Sequence, residues 1–207
     1  MIWTAIVPLK RRSDRKSRLA ACLTPREREA LSDRMAAGVL KALGEAGAVA
    51  RVLSPSPWPG VPWEPDQGAG LNAELDRVRT ALACAPLLVI SGDLPLLTAG
   101  DLRALLTAAE DQGIAIAPDR HSQGTNAIAL WDARPFTFAF GARSFTRHIA
   151  AAQGAAVVCD RTGLAFDLDT PADLDEARRM GDRDRQTSGL SWSQAASPFI
   201  RQSPDRR

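Results

Sequence analysis

Residues 87–97 read LLVISGDLPLL. Four apolar residues suit a strand buried on both faces, and the run stops on a glycine and a carboxylate, Asp93, with Pro95 two places on. In an open parallel sheet, ligands gather at the carboxyl ends of strands. Asp93 therefore marks an edge where chemistry is expected, or else it caps the helix that follows.

The segments on either side repeat the arrangement. Ile2–Val7 reads as a strand ending at Pro8, and Thr24-Pro25 with Glu27 is a capping box opening a helix to about Ala46 along Leu31, Met35, Val39 and Leu43. Val49–Leu53 is a second strand, Ser54–Gly70 a loop rich in proline and glycine, and Leu71, Leu75, Val78 and Leu82 the stripe of a second helix. After the Leu87–Ile90 strand, a helix starts at Thr98. Strands follow at Ile114–Ala117, Ala127–Trp131, Ala156–Cys159 and Leu164–Leu168, with helices at Ser144–Ala152 and from Thr170-Pro171 through Met180. Alternation of this kind predicts an α/β fold, a mainly parallel mixed central sheet flanked by helices. The expected organisation is one domain over 1–180 and a tail, 181–207, whose Ser, Gln, Arg and Asp composition without periodicity predicts disorder.

Composition narrows the function. The 207 residues carry 26 Lys and Arg, 24 Asp and Glu and 45% hydrophobic residues, an ordinary globular balance. No apolar run approaches the roughly 20 residues of a membrane span, and no leader pattern is present, so a cytoplasmic protein with no membrane partner is expected. Cys22, Cys84 and Cys159 are widely spaced and odd in number, which fits small core residues better than disulfides or zinc. His121 and His148 match no metal-ligand spacing. Nucleic acid is not an expected partner: aromatic content is 5%, there is no Tyr, and acids offset bases through Met180.

The basic charge is local. Lys10, Arg11, Arg12, Arg15, Lys16 and Arg18 face one acid, Asp14, directly after the first strand. Such a loop is either a solvated face or a phosphate site. Lys16-Ser17 echoes the end of a P-loop, but the glycines of that motif are missing. A basic loop and an acidic strand end on one edge suit a nucleoside triphosphate held through Mg2+, which prefers carboxylate and phosphate oxygens. Asp167 and Asp169 in FDLDT stand at another predicted strand end and are the further metal candidates, with Asp169 alternatively a helix cap. Trp58 and Trp63 either stack on a base or pack the loop onto the core.

Taken in order, AIVPLK with KSRLA, GAGLNAEL, SGDLPLL, PDRHSQGTNAIAL, FGARSFTRH and FDLDTPADL resemble the phospholactate guanylyltransferase family (CofC/FbiD type) of coenzyme F-420 biosynthesis, from Ile2 to about Met180. The resemblance implies a Rossmann-like nucleotidyltransferase fold. It implies GTP and Mg2+, and transfer of GMP to a small phosphorylated carboxylic acid (2-phospho-L-lactate, phosphoenolpyruvate or 3-phospho-D-glycerate) with release of pyrophosphate. By motif, Thr125, Gly141 and Ser144 would hold the acceptor and Asp93 with Asp167 or Asp169 the metal. Lys16 and Arg18 would act with Asp93 in catalysis, and Lys10, Lys16, Gly68, Gly70 and Asn72 would contact the nucleotide. A homodimer is an expectation from the wider superfamily. The family commonly has FGPGSF where this chain has FGARSF, so Ala142 and Arg143 depart from the pattern. The rival enzymatic reading keeps the fold and exchanges the acceptor for a molybdopterin or a sugar phosphate.

Overall fold

A computed structural model describes residues 1–11, 16–83 and 86–188, with side chains described to Met180. Arg12, Asp14, Arg15, Cys84 and the tail beyond Ser188 lie outside the described residues. The elements are β1 (Thr4–Pro8), a 3-10 turn (Ser17–Leu19), α1 (Pro25–Glu45), β2 (Val49–Ser54), β3 (Trp63–Pro65), α2 (Leu71–Leu82), β4 (Leu87–Ile90) and α3 (Ala99–Gln112). They continue with β5 (Ile114–Pro118), β6 (Thr125–Leu130), α4 (Ser144–Ala151), β7 (Ala156–Val158), α5 (Thr162–Ala165) and α6 (Pro171–Ser188).

Among the described residues the strands form one sheet in the order β3-β2-β1-β4-β6-β5-β7. Its centre is parallel: β1 lies between β2 and β4, with Ile6 opposite Arg51 on one side and Val89 on the other. Only β6 runs against its neighbours β4 and β5. The sheet is thus the mixed, mainly parallel one expected. Alternate residues of each strand face opposite layers, as a pleated strand requires. Ala5, Val7, Leu88 and Ile90 pack with α1 and α3, while Ile6, Leu87 and Val89 pack with Leu75 and Val78 of α2 and with Phe136 and Phe138. A smaller apolar cluster, Leu19, Leu31, Met35, Phe166, Leu168, Leu174 and Ala177, ties the 3-10 turn, α1 and α6 together at the edge that carries Asp93.

Local signals explain the helix starts. Thr24 and Glu27 form a reciprocal capping box on α1, and Thr98 and Asp101 do the same on α3. Four expectations are corrected. Residues 164–168 are not a strand: they leave the single turn of α5, and the carbonyls of Leu164 and Ala165 bond the Asn126 side chain rather than a ladder partner. The proline-rich loop contains β3, an edge strand, where proline is tolerated. Helix α6 runs past Met180 and through Gly181 to Ser188, beyond its expected end; a single glycine costs about 1 kcal/mol in a helix and does not by itself end it. Cys22 is exposed and is not a core filler, whereas Cys159 is half-buried and packs against the core. Trp58 packs against the core, and Trp63, whose ring is exposed, donates its indole N–H to the Ser54 carbonyl.

Candidate active site

Because β1 and β4 are parallel neighbours, the loop after the first and the residues after the second emerge on one edge. Gly92 is needed there for close approach. A Cβ on it would stand 2.5 Å from the Leu9 side chain, which fills the space where the two strands end. Asp93 follows. It does not cap α3, since Thr98 does so.

Lys16 adopts a left-handed backbone, φ 52°, immediately before the 3-10 turn, and its neighbour Leu19 is fully buried. That anchor turns the lysine inward, leaving its side chain 5% exposed. Its ammonium donates to Asp93 Oδ2 at 2.6 Å and to Asp169 Oδ1 at 2.8 Å. Burial works against the charge and is the largest single influence, but the two carboxylates outweigh it, and the lysine pKa stands above its ordinary value. Arg18, well exposed, reaches Asp169 Oδ2 at 3.7 Å. Lys10 is exposed.

Asp167 and Asp169 arrive through backbone contacts. The Leu168 amide donates to the Asp93 carbonyl at 3.2 Å, the Arg120 amide to the Ala165 carbonyl, and the Asn126 amide group holds residues 164 and 165. Asp169 is not the cap of α6: Asp173 accepts from the amides of Asp169 and Thr170, and Thr170 accepts from Asp173. Its carboxylate is left for Lys16 and Arg18. Burial raises the pKa of Asp167 above the ordinary carboxylate range, and the charges of Asp93, Asp169 and Asp119 add to the rise. The two acids, inseparable by motif, are therefore distinct: Asp169 is paired, Asp167 is half-buried among negative charges.

No group of three or more His, Cys, Asp or Glu among the described residues is gathered to hold a metal ion. The expected ligands Asp93, Asp167 and Asp169 stand along one edge but are not drawn together into such a group, and the Lys16 ammonium lies between Asp93 and Asp169. The donor type suits a hard divalent cation: these are carboxylates, of which Mg2+ commonly takes one or two beside phosphate oxygens, and a cation, the Lys16 ammonium, already bridges two of them.

The acceptor candidates converge on a second spot of the same edge. Asp119 organises the loop before β6, accepting from the amides of His121, Gln123 and Gly124; a Cβ on Gly124 would strike it. The loop delivers Thr125 to the start of β6, and the Gln123 carbonyl receives the Phe145 amide of α4. Gly141 has φ 118°, a conformation that glycine alone adopts easily. The Ser144 amide is already engaged, donating to the Gly141 carbonyl at 3.1 Å. The buried Ser144 hydroxyl remains as the available donor of that residue. Arg143 occupies a left-handed position, φ 52°, which accounts for the glycine that the family commonly places there.

Two residues play other parts than the sequence suggests. Asn72 gives its amide to the Phe140 backbone, accepting from its N–H at 2.7 Å and donating to its carbonyl at 3.2 Å, and so clamps the FG segment. His148, unassigned from sequence, is fully buried and bonds Thr125. Its only sequence signal is the four-residue step from Ser144, which places both on one face of α4. Gly68 and Gly70 both have positive φ, and the loop they form is held by Glu74, which accepts from the amides of Gln67 and Ala69.

A parallel sheet with one reversed strand, edged by a buried lysine and aspartates, suits a nucleotidyltransferase, and the family match gives that class. The guanylyl transferase CofC-like family model matches residues 3–190, and the chain belongs to that family. A phosphoenolpyruvate guanylyltransferase of Sphaerobacter thermophilus is 42% identical over 191 residues, covering 85% of this chain and 92% of the relative. A 3-phospho-D-glycerate guanylyltransferase of Phenylobacterium zucineum is 36% identical over 185 residues, 79% of this chain and 84% of the relative. A candidate nucleotide-diphospho-sugar transferase from Desulfovibrio desulfuricans shares the fold, with TM-score 0.69 at 14% identity over 91% of this chain and 90% of that one. No helix among the described residues is long and apolar enough to cross a membrane.

Proposed function

We propose that this chain transfers GMP from GTP to the phosphate of a three-carbon phosphorylated carboxylic acid in coenzyme F-420 biosynthesis, in the cytoplasm, with phosphoenolpyruvate the first acceptor to test. The observation that carries the reading is Lys16: a lysine 5% exposed, held between two carboxylates at the sheet edge where the basic loop ends. An ammonium has three protons, and the two carboxylates take two. The third is available to a nucleotide phosphate.

The nucleophile is an oxygen of the acceptor phosphate. With a second pKa near 6 it is already largely ionised at neutral pH, so the reaction needs no general base. A bond forms from that oxygen to the α-phosphorus of GTP, and the bond from the α-phosphorus to the bridging oxygen breaks. Pyrophosphate leaves with the electron pair. The barrier is the meeting of anions and the charge growing on the leaving group, so catalysis is positioning and electrostatics. Lys16 and Arg18 neutralise the β- and γ-phosphates. Asp93, with Asp167 and Asp169, would hold a divalent cation, Mg2+ in this proposal, which supplies positive charge beside the phosphate oxygens. The Gly68–Gly70 turn takes the guanosine, while Thr125, Gly141 and Ser144 take the acceptor.

Incubation with GTP, Mg2+ and each of phosphoenolpyruvate, 3-phospho-D-glycerate and 2-phospho-L-lactate, read by mass detection of the GDP-linked product, tests the reading. Product is expected with at least one acid. Product from none of them removes the proposal, and product from a sugar phosphate instead would reassign the acceptor.

A further inference from the structure

Thr125 sits at the first position of β6, 5% exposed, and its Oγ1 lies 2.9 Å from His148 Nδ1. The other ring nitrogen, Nε2, lies 2.8 Å from the backbone nitrogen of Ala139. A backbone N–H can only donate, so Nε2 must offer a lone pair. A neutral imidazole carries one proton, which is then on Nδ1. The surroundings favour the neutral ring: it stacks on Phe136, with centroids 5.9 Å apart, and meets Phe140 edge-on at 4.7 Å. Burial, and after it the charge of Arg147, bring its pKa down to about 4.

The consequence falls on the threonine. Because Nδ1–H donates, Thr125 Oγ1 accepts, and the hydroxyl's own proton has to find another acceptor. None exists among the described residues, although the group is buried and an unsatisfied buried donor is costly. The nearby Ser144, on the same face of α4 as His148, is likewise buried with a donor to spare. We propose that His148 is a positioning residue: the Ala139 amide fixes its tautomer, the tautomer fixes Thr125 as acceptor on that side, and the Thr125 proton is thereby committed to an anionic oxygen of the acceptor substrate. The inference rests on the reading that this pocket takes a phospho-acid, and it assigns a donor direction that the reading leaves open.

Two substitutions separate the ring nitrogens. His148→Gln can keep an oxygen near Nε2 for the Ala139 amide but loses the donor to Thr125. His148→Asn can keep a donor near Nδ1. Steady-state kinetics should show His148→Gln raising the acceptor KM by at least about tenfold, the worth of one hydrogen bond to a charged group, with the GTP KM within about twofold of wild type. His148→Asn should recover most of that loss. In a Thr125→Val background, His148→Gln should add less than about twofold, because the two act through one proton. Equal loss in Gln and Asn, a matching rise in the GTP KM, or additivity with Thr125→Val would overturn the proposal. Nitrogen NMR of the wild-type imidazole gives the tautomer directly, whether or not the variants fold: protonated Nδ1 with bare Nε2 is expected, and the reverse ends the argument. Absence of product from every acid with wild-type enzyme would instead remove the acceptor reading and leave the tautomer result standing.

Discussion

Replacing Asp93 by Asn removes one charge from beside Lys16 and keeps the size of the side chain, so the loss is electrostatic rather than steric. The cap of α3 is Thr98, so that helix does not depend on this carboxylate. Asp93→Asn should therefore melt cooperatively near wild type and fail to release pyrophosphate from GTP and acceptor; substantial turnover would end its role as a cation ligand. Lys16→Ala should slow turnover by at least about tenfold, roughly 1.4 kcal/mol of transition-state stabilisation. An unchanged rate would return the basic loop to a solvated face. Both residues were legible in the sequence because each follows a strand at the carboxyl edge of a parallel sheet. Asp169 and Asp167 were legible only as a pair. What separates them is a backbone bond from Leu168 to Asp93 and the capping of α6 by Thr170 and Asp173, contacts that no spacing announces. His148 was illegible for the same reason, since both its partners, Thr125 and Ala139, are tertiary.

At the scale of elements, Asn72 links the first turn of α2 to the segment before α4 through two hydrogen bonds to Phe140. The neighbouring Gly141, at φ 118°, depends on that segment's path. Asn72→Ala leaves both backbone groups of Phe140 unpartnered on that side, at about 1–3 kcal/mol if they stay buried. We predict that it raises the acceptor KM several-fold more than the GTP KM. The opposite split would make Asn72 a guanosine contact after all. Elements with their own start signals were read correctly: α1 and α3 each carry a reciprocal capping box, and β4 a fully buried apolar run. Elements that depend on a partner were not. Residues 164–168 have strand-like residues, but a side-chain amide takes the carbonyls that a ladder would need, and β3 exists because β2 offers an edge.

Across the whole molecule, acid should act on this fold in two stages, and His148 sets the first. Its pKa is about 4 in the folded chain and near the ordinary 6.5 when unfolded. Between those values the unfolded chain binds more protons, so stability rises with pH through the window, is complete above 6.5 and declines below it. The decline approaches about 1.4 kcal/mol per pH unit for one group and sums to roughly 3 kcal/mol by pH 4, a large share of the 5–15 kcal/mol typical of a domain. The carboxylates paired with arginines titrate lower. Arg134 holds Asp132 down at about 2, and Asp101 and Asp173 are also shifted below their ordinary values, their losses to burial outweighed by hydrogen bonds and neighbouring arginines. Their contribution is present above the ordinary aspartate range and is lost only as pH falls through their depressed values. Urea unfolding of wild type at pH 7, 6 and 5 should thus show a loss that His148→Gln, which cannot titrate there, largely lacks. Parallel losses in the two proteins would place the early acid sensitivity elsewhere and contradict a buried neutral imidazole.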